Sequence, residues 1–216
     1  MSLSLPQQIV VWALPVLFAI TAHEVAHGWV ASLFGDQTAR LSGRLTLNPI
    51  KHIDLMGTII VPILLLTFSN FVFGWAKPVP VDARNLRNPR RDMAIVAAAG
   101  PVSNIIMAVL WAGLAKLAQT LFPGEGAGLL LFYMGMAGIQ INVVLAVLNC
   151  LPIPPLDGGR VLSSLLPPRV AWNLSRIEPY SFFVLIILMV SGILSAIISP
   201  PISLLTYSIA NLFGLI

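Results

Sequence analysis

Charge is scarce in this 216-residue chain: 12 Lys and Arg and 8 Asp and Glu make up 9% of it, against 57% hydrophobic residues. A soluble domain carries roughly 25% charged residues. There is too little charge here to coat a water-facing surface, which excludes a cytosolic domain, a disordered chain and a nucleic-acid binder. One cysteine excludes an internal disulfide and a cysteine-built metal cage. Also missing are a soluble domain, an internal repeat and a low-complexity tail. No Lys or Arg precedes the first apolar run, which itself holds ionisable residues, so that run reads as a retained span and not as a cleaved leader. What remains is a small all-α polytopic membrane protein with apolar side chains facing lipid.

Six apolar runs, at 6–34, 55–75, 93–122, 127–149, 180–198 and 202–216, are separated by Pro, Gly and charge clusters. The first five approach or exceed the ~20 residues a helix needs to cross a bilayer. The last, of about 15 residues, crosses only with local thinning. The basic residues cluster in three stretches: Arg40, Arg44 and Lys51; Lys77, Arg84, Arg87, Arg90 and Arg91; and Arg160, Arg169 and Arg176. The positive-inside rule places all three in the cytoplasm. Simple alternation fails if 55–75 is a full span, because the first two basic stretches would then face opposite sides.

Within the first run stands His23-Glu24-Val25-Ala26-His27. On a helix, positions i and i+4 share a face about 6 Å apart, so both imidazoles can reach one metal, and Glu24 stands beside them as a general base for an attacking water. Ionisable groups in a span cost up to about 3 kcal/mol each on insertion scales, which makes this cluster a functional candidate. Two imidazoles need a third protein ligand, and the chain has eight carboxylates from which to choose. Asp157 stands out, because Pro152, Pro154 and Pro155 break the fourth run before it and Gly158 and Gly159 let the backbone turn after it. Broken backbone at membrane depth is tolerated where it is buried in protein or lines a wet cavity.

His23-Glu24-Val25-Ala26-His27, followed by Asn149-x-x-Pro152-x-x-x-Leu156-Asp157-Gly158, resembles the site-2 protease family of intramembrane zinc metalloproteases, peptidase family M50. Ala99-Gly100-Pro101-Val102-Ser103-Asn104 resembles that family's third core helix. The resemblance implies zinc, one ion per chain, on His23, His27 and Asp157, with Glu24 as catalytic base and Asn149 holding the substrate backbone. It implies hydrolysis of peptide bonds in or near transmembrane helices, so the partners are a membrane-protein substrate and the bilayer. It also implies a prokaryotic inner-membrane enzyme with its site near the cytoplasmic face. The chain resembles short members without a PDZ or CBS domain. It reads as one transmembrane protease domain over 1–216, with a core at 6–165 and C-terminal helices at 180–216.

The ligand set bears on topology. A helix from Pro6 climbs roughly 26 Å before reaching His23, and Asp157 follows the end of the fourth run, so both must lie near one face. That requires 55–75 to re-enter without crossing, which Pro62 favours, and it puts all three basic stretches on one side. The expectation is five spanning helices plus a re-entrant segment, with a sixth ordinary span as the alternative. Arg40 to Leu47 alternates polar and apolar residues around Gly43 and reads as a small β-like membrane-edge segment. His52, ahead of Asp54, is a possible accessory ligand if the re-entrant segment folds over the site. The competing class is a membrane metal carrier, but a carrier needs ligands along several helices and no base beside them. The sequence carries no signature of the oligomeric state.

Overall fold

The computed structural model describes residues 3–61, 64, 67, 74–124 and 126–216. Its frame is three long helices: α1 (Leu5–Leu33) opens the chain, a four-residue helix α2 (Thr38–Leu41) follows, and α3 (Pro89–Leu121) and α4 (Ala127–Asn149) form a hairpin. After α4 come the short α5 (Asp157–Leu165) and α6 (Pro168–Ser175), then α7 (Glu178–Val190) and α8 (Ile193–Leu212). Among the described residues α1, α3, α4 and α8 are long and apolar enough to cross a membrane, and α6 with α7, bent by 46° at their junction, would make a fifth span.

The bundle closes because small residues repeat on one face of α3. Ala108, Ala112, Ala115 and Ala118 are spaced by four, three and three residues and are all buried. That spacing stacks them along one side of a helix and lets a neighbouring backbone approach. Ile139 and Val143 of α4, with Ile209 and Ala210 of α8, fill the seam. The outer surface is apolar as a lipid-facing surface should be, with Leu110, Leu121, Phe183 and Ile187 all exposed.

Two expectations change. The C-terminal runs do not divide between 198 and 202. The break falls at Ser191–Gly192, where Gly192 has φ +76°, and Pro200 and Pro201 lie inside α8. A left-handed residue ends a helix sharply, and glycine takes that conformation without steric cost. The β-like segment at 40–47 is not a strand, and no strand occurs among the described residues. Asp36 Oδ1 accepts the Thr38 N–H at 3.0 Å, which nucleates the turn of α2. Gly43, at φ +64°, closes it, and residues 44–48 run on without ladder partners.

Most of 62–73, where the re-entrant turn was expected, lies outside the described residues. Its two ends are described. Trp75 N–H donates to Gly57 O at 3.0 Å, Thr58 Oγ1 donates to Trp75 O at 2.9 Å, and Lys77 N–H donates to His52 O at 2.9 Å.

Candidate metal centre

α1 carries His23 and His27 one turn apart, 8% and 6% exposed, and their rings meet edge to face at 89°. The two Nε2 atoms lie 3.1 Å apart. Asp157, 5% exposed and the first residue of α5, brings Oδ2 to 3.1 Å from His23 Nε2 and 3.3 Å from His27 Nε2. It reaches this place because α5 starts against the end of α4: a side chain at Gly158 would lie 2.3 Å from Cys150 O, so only glycine permits the approach. α3 closes the other side at Gly100, where an added Cβ would lie 2.5 Å from His23 Cε1 and 2.6 Å from His27 Nε2.

The far side of each ring decides what the near side can do. His27 Nδ1 lies 2.7 Å from Val96 O, a carbonyl that can only accept, so the proton is on Nδ1 and Nε2 offers a lone pair. His23 Nδ1 lies 2.7 Å from Asn104 Oδ1. Asp157 Oδ2 is buried and accepts no hydrogen bond although both imidazoles face it. Three acceptor atoms turned on one another call for a cation between them. A tetrahedral zinc with ligands at about 2.0–2.1 Å would hold neighbouring ligand atoms about 3.3 Å apart, close to the spacings found. Two imidazoles and one carboxylate with an open fourth position is a donor set that suits zinc. Among the described residues, His23, His27 and Asp157 are the group of His, Cys, Asp and Glu side chains able to share a metal.

The three residues line one wall of a cavity of about 810 Å³, which Glu24 and Asn149 also line. Glu24 Oε2 accepts the Val79 N–H at 2.8 Å, so the carboxylate is tied to the extended stretch after Trp75. That stretch is fastened on either side of Val79. The buried Arg44 donates from Nη2 to Lys77 O at 2.8 Å, and Asp36 Oδ2 accepts the Asp82 N–H at 2.7 Å. Asn149 turns its Nδ2 back to Leu145 O at 3.0 Å.

The structure therefore gathers His23, Glu24, His27, Asn149 and Asp157 around one space. It does not bring His52 there. That side chain is 2% exposed, donates from Nε2 to Thr46 O at 2.9 Å, and is not part of the cavity wall. Sequence reasoning missed the carbonyl of Val96, the contact from Val79 and the role of Gly100 as a gap. An asparagine inside an apolar run, such as Asn104, was a readable signal, because an amide there needs partners.

The description "Peptidase family M50" matches residues 124–192, which include Asn149 and Asp157. A Bacillus subtilis protein named "Putative zinc metalloprotease YwhC" is 40% identical over 205 residues, covering 93% of this chain and 90% of its own length. Rip2 of Mycolicibacterium smegmatis, given the same description, is 31% identical over 183 residues, covering 83% of this chain and 66% of its own length. Rip2 of Mycobacterium tuberculosis is 29% identical over 179 residues, with 83% and 66% covered. No solved structure matches.

Proposed function

This chain belongs to peptidase family M50, and from that premise we propose that it is an intramembrane zinc metalloendopeptidase of the site-2 protease type. It is an integral membrane protein, and 1–216 forms one protease domain with its core at 6–165 and C-terminal helices at 180–216. The observation that carries the reading is the convergence of His23 Nε2, His27 Nε2 and Asp157 Oδ2, with Glu24 on the wall of the same cavity.

His23, His27 and Asp157 would hold the zinc, which when bound supplies a Lewis acid beside the scissile carbonyl. The remaining chemistry belongs to the chain. Glu24 takes a proton from the attacking water and returns it to the leaving amine. Its Oε2 is held by Val79, which leaves Oε1 to carry the proton. Asn149, whose Nδ2 is engaged by its own helix, offers Oδ1 to a substrate N–H. The substrate is a transmembrane helix whose carbonyls are already paired, so it unwinds locally before attack. His52 acts as a brace of the loop and not as an accessory ligand.

His23 lies ten residues before Leu33, about 15 Å from the end of α1. The hydrogen bonds between Trp75 and residues 57–58 bring the two described ends of the 55–75 stretch together, which supports the re-entrant reading. With all three basic stretches on that face, the positive-inside rule sets it in the cytoplasm, and the site near it.

The test uses purified wild type and Glu24→Gln in lipid vesicles, with bound zinc measured and a panel of single-span helices offered. The reading expects about one zinc in both proteins, cleavage by wild type alone, and loss of cleavage with a chelator. Equal cleavage by Glu24→Gln, or zinc transport into vesicles without cleavage, would overturn it.

A further inference from the structure

Two asparagines stand in the middle of apolar helices, both with no exposed surface: Asn104 on α3 and Asn142 on α4. An amide buried there must spend its donors and acceptors on protein, and the partners of these two settle which way each points. Asn142 lies 2.9 Å from Gly138 O, a carbonyl that can only accept, so the atom facing it is Nδ2. Asn142 Oδ1 therefore faces α3, where Asn104 Nδ2 donates to it at 3.0 Å. Asn104 Nδ2 also donates to Ala19 O of α1 at 3.1 Å. Turning the Asn104 amide over would set its oxygen against two other oxygens. Its Oδ1 is thus directed at His23 Nδ1, 2.7 Å away, and an oxygen there can only accept.

We propose that Asn104 is a positioning residue for the metal centre, and that Asn142 orients it, so that a chain of hydrogen bonds starting at Gly138 O holds the His23 proton on Nδ1 and turns the Nε2 lone pair towards the metal. His27 obtains the same result from Val96 O directly. Val96, Gly100 and Asn104 are spaced by four along α3, so one face of that helix supplies a carbonyl for one imidazole, a gap for both, and an amide for the other. The three helices α1, α3 and α4 are joined at this point, which ties the ligand geometry to the packing of the bundle. Partners of this kind fix ring orientation and raise ligand basicity, and losing one costs about 10–100-fold in metal affinity.

The inference rests on the metalloprotease reading, and it can fail separately. The chain has three histidines, so ¹⁵N-histidine labelling of the zinc-loaded protein in detergent resolves each ring, with His52→Gln to assign one. The relay predicts protonated Nδ1 at His23 and His27 and, from the bond to Thr46 O, protonated Nε2 at His52. Chelator competition then measures zinc affinity: Asn104→Ala falls about 10–100-fold, and Asn142→Ala, which removes only the group that orients Asn104, falls less. Ligation of His23 through Nδ1, or Asn104→Ala that melts and binds zinc as wild type does, would overturn the relay while cleavage by wild type stands. If Asn104→Ala does not fold, the wild-type spectrum and Asn142→Ala decide the question. Wild type that neither binds zinc nor cleaves would overturn the protease reading and the relay together.

Discussion

Gly100→Ala adds one methyl group between α3 and the two imidazoles. Its Cβ would stand 2.5 Å from His23 Cε1 and 2.6 Å from His27 Cε1 and Nε2, where ordinary contact begins near 3.4 Å. Something must give by about 1 Å. The rings have little room, since His23 is held at Asn104 and His27 at Val96 O, both on the helix that carries the new methyl. Either the rings tilt and their Nε2 atoms diverge, or α3 backs away from α1. Overpacking of this kind costs typically 1–3 kcal/mol, and alanine returns about 1 kcal/mol in helix propensity. The net loss of metal-free stability is therefore about 0–2 kcal/mol, whereas zinc affinity falls at least 10-fold through the displaced ligands. Gly113→Ala on the same helix is the control: its nearest neighbour would be Phe213 Cε1 at 3.8 Å. It should melt at or slightly above wild type and keep its zinc. Thermal unfolding in detergent and chelator competition read both quantities. Gly100→Ala with zinc affinity within threefold of wild type would refute the packing argument.

Other perturbations separate the parts of the site. Val79→Pro removes the N–H held by Glu24 Oε2 in a stretch already rich in proline; we expect the cleavage rate to fall about 10-fold, the equivalent of one charge-assisted hydrogen bond, with zinc content unchanged. Burial pushes the Asp36 carboxyl up, but hydrogen bonds from Thr38, Asp82 and Asn85 outweigh it and hold its pKa below the usual 3.8. A carboxylate with a depressed folded pKa stabilises the fold above the unfolded pKa and loses that contribution as pH falls through the folded value. Asp36→Asn should therefore lower stability at pH 7 by about 1–3 kcal/mol and flatten the acid limb of a melting-temperature profile, the difference from wild type shrinking as pH falls below the usual carboxylate range.

Local spacing carried much of this architecture, and long-range contact carried the rest. Helix α4 covers 127–149 as its apolar run does, because a glycine bounds it before and a proline-rich break follows. His23 and His27 face one way because the helical repeat makes them do so, and Asp157 was conspicuous as a carboxylate between prolines and glycines. The β-like reading of 40–47 failed because alternation over eight residues has no force without a partner strand, while Asp36 supplied a local bond that starts a helical turn. Pro200 and Pro201 looked like a boundary, yet Gly192, which tolerates a left-handed turn, made the break. The contact from Val79 to Glu24 joins residues 55 apart in sequence, and no periodicity signals such a pairing.

Cleavage of peptide bonds inside the membrane by this centre is read most directly by mass spectrometry of the products from a single-span substrate cut in vesicles. With the metal ligands about 15 Å from the end of α1, one principal cut is expected within about ten residues of the cytoplasmic end of the span, absent with Glu24→Gln. A cut confined to the soluble flank, or one that persists in Glu24→Gln, would contradict it.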